Sequence, residues 1–384
     1  MATPLIRHLL ESVRTEKISA STAATELGLS RNRLYQLLGD YLAAYGPGKH
    51  RNWVPGVSGG DHAPVWPASV VALLRKRLSS TPPASYSFAA SEALRVCEYR
   101  LDRAQVRRWA MANNLVHGNI PRRPRAPVRR WQRSQIGELW QLDATPHRWF
   151  PPSDTQLPML NMLDDCSRIF VGSKLYDREI MPAYLDFLPT AFLDYGLPLE
   201  LYVDYHSFFF TKVPDSLTTL GKALQFYGVS LRFAPTPQAK GKVEREHSFW
   251  QQRLPAYFAS EPVADLHEAN RHIAALRLHR NKHEIHRELK MTPHKAWTEA
   301  VAQKRSVLRP VPPCPWWPYV WSVQISTRTG PDGRIPIGTH AIRLETPPGT
   351  KVIICHHPDG HHSVLAARPK LGTLPAILFS NCPK

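Results

Sequence analysis

Hydrophobic and polar positions follow several rhythms along this chain. From residue 18, "ISASTAATELGLSRNRLYQLLGDYLAAYG" sets Ala20, Ala23, Ala24 and Leu27 at helical spacing, breaks at Gly28, and resumes with Leu34, Leu37 and Leu38. Ser30 is placed to cap the second run, so the pattern predicts a helix, a tight turn and a second helix. A similar unit is expected in "SYSFAASEALRVCEYRLDRAQVRRWAMANNL". There Phe88, Ala93, Leu94 and Val96 mark one helix, and Asp102 caps another that turns Val106 and Trp109 inward. From residue 138 the rhythm shortens to "ELWQLDATPHRWF", "PMLNMLDDC", "RIFVGSKLY", "LELYVDYH" and "VSLRFAP", interrupted by the helical stretches "REIMPAYLDFLPTAFLDYG" and "DSLTTLGKALQFYG". Strands that alternate with helices predict a mixed α/β sheet. Residues 262–303 return to helical spacing, and "VPPCPWWP" at 311–318 marks a break. Beyond it, "YVWSVQIS", "THAIRL", "TKVIICHH" and "HSVLAA" predict a small β-barrel with a hairpin turn at "PDG", 358–360.

The expected organisation is multidomain α+β. Residues 1–45 form a helix-turn-helix unit, 46–67 a Gly/Pro-rich linker, 68–118 a second helical unit and 119–135 a basic linker. An α/β core at 136–260, a helical extension at 261–305, the barrel at 306–368 and a tail at 369–384 complete it.

Charge narrows the class of partner. The 384 residues carry 49 Lys+Arg against 31 Asp+Glu, a formal net charge of +18, which implies a polyanion. On the second helix of the first unit, Arg31, Asn32, Arg33, Tyr35 and Gln36 lie off the apolar stripe and offer donors to phosphates and base edges together. In the second unit Arg103, Gln105, Arg107 and Arg108 are expected to face outward, although a solvated charged face would read the same way. The linker "PRRPRAPVRRWQR" spaces Arg122, Arg123, Arg125, Arg129 and Arg130 with prolines, an extended basic strap suited to a phosphate backbone. Double-stranded DNA is therefore the expected partner. No apolar run is long enough to span a membrane, and "MATPLIRHLLESVRTEK" lacks the plan of a signal peptide, so a cytoplasmic, nucleoid-associated protein with no membrane partner is expected. The five cysteines are scattered without CxxC spacing, which excludes a four-cysteine zinc site and a disulfide framework.

Acids at the ends of hydrophobic strands are costly unless cations compensate them. Asp143 interrupts "LWQLDAT" and Asp204 ends "LELYVDY". A third acid from the helix that begins near Gly241 would complete a carboxylate cluster able to hold Mg²⁺ or Mn²⁺. That helix offers Glu244 and Glu246, about 200° apart around the axis, and spacing alone leaves the choice open. Asp164 and Asp165 also follow a strand, but a hairpin turn explains them better. His279, His283 and His286 at helical spacing, and the cluster "CHHPDGHH", are read as structural rather than metal-binding.

"WQLDAT", "LYVDYHSFF" and "PQAKGKVERE", in that order, resemble the Asp-Asp-Glu core shared by retroviral integrases and insertion-sequence transposases. The likeness covers about residues 138–300, including the trailing "HRNKHEIHRELKMTPHKAW". It implies a ribonuclease-H-like core, picks Glu244 as the third acid beside Asp143 and Asp204, and implies two metal ions per active site. It further implies binding of terminal repeats, 3′-end cleavage and strand transfer by a homo-oligomer assembled on DNA. Lys240, Lys242 and Arg245 around the third acid are expected to neutralise phosphates, and His206 to lie beside the metals. The chain departs from the pattern after the second aspartate, where Tyr205 and His206 replace the usual Asn or Arg and Gly. The alternative reading is a catalytically silent DNA-binding protein derived from a transposase.

Overall fold

The structure is a computed structural model that describes residues 3–44, 53–55, 65–115, 132–211, 216–234, 241–338, 340–367 and 376–380. The chain divides into two compact units, Met1–Pro67 and Ala68–Lys384.

In the first unit, α1 (Thr3–Arg14), α2 (Ala20–Glu26) and α3 (Arg31–Ala43) surround a core of Leu9, Leu10, Ala23, Ala24, Leu27, Leu34, Leu37 and Tyr41. Ser19 and Ser30 cap α2 and α3, each accepting a backbone N–H three residues on, and Gly28 takes the positive φ of +60° that the tight turn needs. The predicted helix, turn and helix are thus present.

The second unit opens with α4 (Ala68–Leu78), α5 (Tyr86–Cys97) and α6 (Arg103–Ala112). These helices share a core with the α/β region: Ala84 and Phe88 are buried in one cluster with Trp149, Trp250 and Tyr257. A buried ion network reinforces the contact. Arg77 pairs with Glu92 at 2.8 Å, donates to Ser260 Oγ at 2.7 Å, and lies 4.5 Å over the Tyr257 ring. Such a network holds only because its charges are mutually satisfied.

Five strands follow: β1 (Leu139–His147), β2 (Leu157–Asp164), β3 (Phe170–Leu175), then α7 (Met181–Tyr195), β4 (Glu200–Val203), α8 (Thr219–Phe226) and β5 (Ser230–Phe233). Their order in the sheet is β3-β2-β1-β4-β5, with β2 antiparallel to its neighbours and β1, β4 and β5 parallel. Side chains alternate between the two faces. Trp140, Leu142, Leu160 and Met162 pack with Leu188 and Phe192 of α7 and Leu220 and Leu224 of α8. Met159, Leu163, Phe170 and Leu175 pack on the other face with α9 (Gly241–Gln251), α10 (Leu254–Ser260) and α11 (Leu266–His283), through Trp250, Tyr257 and Ile273. The mixed α/β core expected from the sequence is therefore observed.

After α12 (Pro293–Ala302) and the short α13 (Trp317–Val320) come β6 (Val323–Arg328), β7 (Arg334–Ile337), β8 (His340–Arg343), β9 (Lys351–His356), β10 (His362–Ala366) and β11 (Ile377–Ser380). The expected barrel is corrected here. Among the described residues the strands pair as an open sheet, β11-β10-β9-β6, and a separate hairpin, β7-β8. The hairpin packs Ile335 and Ile337 against Val352, Ile354 and Val364, so the apolar faces are covered by stacking rather than by closure. The start of "YVWSVQIS" is also helical, since α13 takes Tyr319 and Val320.

Candidate active site

The parallel pairing of β1 with β4 sets Leu139 against Glu200, Trp140 against Leu201 and Gln141 against Tyr202. This offset, 200 − 139 = 61, is also the separation of the two aspartates, 204 − 143 = 61. Continuing the register by two residues places Asp143, within β1, level with Asp204, the first residue beyond β4. Asp204 stands just beyond the carboxyl end of β4, where open α/β sheets present their ligands, and Asp143 lies midway along β1.

The electrostatics agree with this placement. Tyr184 of α7 is buried and donates its phenolic hydrogen to Glu179 Oε1 at 2.7 Å. Burial first, then Glu179, and then both Asp204 and Asp143 push its phenol well above the usual range. One hydroxyl group thus lies in the field of both aspartates. Asp143 is partly buried and Asp204 exposed, and Asp204 Oδ1 accepts the His206 N–H at 3.3 Å.

Two residues of the site are not evident from the sequence pattern. His247, on α9, is buried with Nδ1 3.8 Å from Asp143 Oδ2. The one signal for it is its place one helical turn beyond Glu244 in "GKVEREH". Asn161, the cross-strand partner of Asp143, is fully buried, and neither amide atom has a hydrogen-bond partner among the described residues. Strand pairing alone brings it there, and nothing local in the sequence announces it.

Glu244 lies in α9, which packs against β1 and β2, but its side chain is outside the described residues. Glu246 is described and is otherwise engaged. Its carboxylate pairs with Arg280 at 3.0 Å, with His286 3.7 Å away. Burial alone would raise the Glu246 carboxyl, but Arg280 and His286 outweigh it and hold the group below its usual range.

Lys242, expected on phosphate, pairs with the buried Asp165. Asp165 also accepts the Arg133 N–H at 2.7 Å and Gln141 Nε2 at 2.6 Å, so it joins β1, α9 and the end of the basic linker. Its neighbour Asp164 accepts from Gly137 N at 2.9 Å and from Ser167 N and Oγ at 2.7 Å each, and burial pushes its carboxyl up to about 6. The two acids build the turn between β2 and β3, as their sequence context predicts. Arg245 is exposed and pairs with Glu288. His206 Nδ1 accepts the Phe208 N–H at 3.3 Å and the ring lies against Phe208, which gives it a local role in the turn.

Of the residues expected on DNA in the first unit, Arg31, Asn32 and Gln36 are exposed on α3, and Arg33 donates to Gln36 Oε1 at 3.2 Å. Arg103, Arg107 and Arg108 are exposed on α6. Gln105 serves a capping box instead: its side chain accepts the Asp102 N–H while Asp102 accepts its own, both at 2.8 Å. Arg122, Arg123, Arg125, Arg129, Arg130 and Lys240 lie outside the described residues.

No protein-family model matches the chain. Among curated proteins it is similar to the transposase for insertion sequence IS1202 of Streptococcus pneumoniae, 35% identical over 141 residues, 35% of this chain and 30% of that protein. It is also similar to "Putative transposase y4bF" of Sinorhizobium fredii, 26% identical over 275 residues, 68% of this chain and 58% of the other. The chain thus spans less than two-thirds of the length of either relative. The HTLV-2 integrase catalytic core domain in complex with magnesium aligns at 17% identity and a TM-score of 0.35, covering 42% of this chain and 97% of that one. A simian T-cell lymphotropic virus intasome in complex with PP2A regulatory subunit B56 gamma aligns at 14% identity and 0.38, covering 77% and 100%. Among the described residues no helix is long and apolar enough to cross a membrane.

Proposed function

We propose that the chain is a DNA transposase of the Asp-Asp-Glu type that binds the ends of a mobile element and cuts and joins DNA strands. The observation that carries this reading is the parallel register of β1 and β4, which when continued levels Asp143 with Asp204, beside the helix that contains Glu244. The similarity to insertion-sequence transposases and the net charge of +18 support it.

The donor set fits a hard divalent ion, since carboxylate oxygens are the ligands such ions prefer. Asp143, Asp204 and Glu244 would hold Mg²⁺ or Mn²⁺, in our reading two ions. When bound, such ions lower the pKa of an attacking hydroxyl and stabilise the departing 3′ oxygen.

The protein's own groups supply position and charge. His247, with Nδ1 3.8 Å from Asp143 Oδ2, is the neighbouring side chain that would position this carboxylate. The pairs Lys242–Asp165 and Glu246–Arg280 anchor α9 to the turn after β2 and to α11, so the helix that bears Glu244 is held at two points. Arg31, Asn32 and Gln36 on α3, with Arg103, Arg107 and Arg108 on α6, are assigned to DNA, as are the arginines of the linker and Lys240. Joining two element ends to a target requires more than one catalytic chain, so a homo-oligomer assembled on DNA is part of the proposal.

The test uses purified protein, Mg²⁺ or Mn²⁺ and a labelled duplex carrying the ends of the encoding element, with Glu244→Gln alongside. Metal-dependent nicking followed by joined products, both lost in the variant, supports the transposase. Specific binding without cleavage under either metal replaces it with a silent DNA-binding descendant.

A further inference from the structure

The segment after Asp204 reads "YHSFFF", and its rings divide between two destinations. Phe208 and Phe209 pack against the buried Tyr184, at 5.4 and 5.2 Å between centroids. Tyr205 and Phe210 go the other way and remain 58% and 39% exposed. Tyr205 stacks on Phe233, the last residue of β5, with centroids 5.0 Å apart and planes 15° from parallel. Phe210 stands edge-on to both, 5.3 Å from Tyr205 and 5.8 Å from Phe233. The result is a partly exposed aromatic cluster whose most exposed ring adjoins Asp204 in the chain.

We infer that Tyr205, Phe210 and Phe233 form a stacking platform for an unpaired base of DNA beside Asp204. The inference rests on the transposase reading, which brings a phosphodiester to Asp204. Three mutually packed rings at the surface leave apolar area in water, which a stacked partner group would cover. A base presents the shape and chemistry that a stacked tyrosine extends, since every base has a π-face and stacking tolerates any sequence. Continuity with the aspartates and the net charge of +18 favour DNA as the occupant over a second apolar surface. The departure from the resembled pattern at Tyr205 and His206 thereby acquires a use: an aromatic ring stands where that pattern has a small or polar residue. A base drawn out of the duplex at this point would expose the adjacent phosphodiester to the acids.

The test separates binding from chemistry by leaving out divalent metal. The full chain, Tyr205→Ala and Tyr205→Phe are titrated with a fully paired element-end duplex and with the same duplex carrying three unpaired nucleotides at the 3′ end. Wild type and Tyr205→Phe should prefer the unpaired end, and Tyr205→Ala should lose about tenfold of that preference, with a much smaller change in binding of the paired duplex. A 5-iodouracil at the unpaired end should crosslink to Tyr205 on irradiation. If all three proteins bind both duplexes alike, or Tyr205→Ala instead changes self-association without DNA, the platform is refuted and the cluster is an interface between copies. Failure of every protein to bind either DNA would refute the transposase reading itself, and the platform with it.

Discussion

Glu246→Gln distinguishes the anchoring acid of α9 from the one assigned to chemistry. Glu246 is 5% exposed and meets Arg280, itself 4% exposed, at 3.0 Å. Removing the charge leaves a buried guanidinium without its counterion, for which breaking a buried pair costs about 3–5 kcal/mol. Arg280 keeps part of its support, because it donates to the Arg168 carbonyl at 2.6 Å and lies 4.2 Å over the Phe170 ring. We therefore expect the low end, about 3 kcal/mol, seen as a fall of roughly 5 °C or more in the thermal transition of the second unit. The sign with pH follows from the depressed carboxyl. Its stabilisation is complete above the unfolded glutamate value of about 4.3 and is lost as pH falls toward the lower folded value, so the gap between wild type and variant should begin to narrow as pH falls below about 4. Circular dichroism melts from pH 3 to 8 measure this, and metal-dependent cleavage at 20 °C measures the chemistry. Folded Glu246→Gln should still cleave. An unshifted melt with cleavage abolished would refute the reasoning and make Glu246 the third metal ligand.

Asp143→Asn, Asp204→Asn and Glu244→Gln should each abolish cleavage and joining while leaving the dissociation constant for element-end DNA within about twofold, as read by gel shift beside the cleavage assay. Asp165→Asn should lower the cleavage rate about tenfold and reduce stability, because Asp165 joins Gln141, Arg133 and Lys242; an unchanged rate would show that α9 does not depend on it. Phe88→Ala should cost about 3–5 kcal/mol and make α4–α6 sensitive to limited proteolysis, since Phe88 is 1% exposed within the core it shares with Trp250 and Tyr257. Equal proteolysis of variant and wild type would mean that these helices are held by other contacts.

Local physics is legible in the sequence. Ser30 and Asp102 as caps, Gly28 as the turn and the apolar stripes of α2 and α3 follow from rules that act over three or four residues, and each is found in place. The strands and helices of the core are likewise visible as changes of period. The spacing of Asp143 and Asp204 also stands in the sequence, but its meaning does not: only the parallel register of β1 and β4 turns that separation into a shared level. Asn161 reaches the site through strand pairing, and Asp165 and Glu246 become anchors through Lys242 and Arg280, partners 77 and 34 residues away. Among the described residues the expected closure of the C-terminal strands is not seen, for the same reason: an alternating pattern says which face is apolar but not what will cover it. The sequence by itself determined elements, caps and the order of the acids, because those depend on near neighbours along the chain. The tertiary structure decided which buried charge meets which partner, because burial is a property of distant segments brought together and only their packing sets its cost.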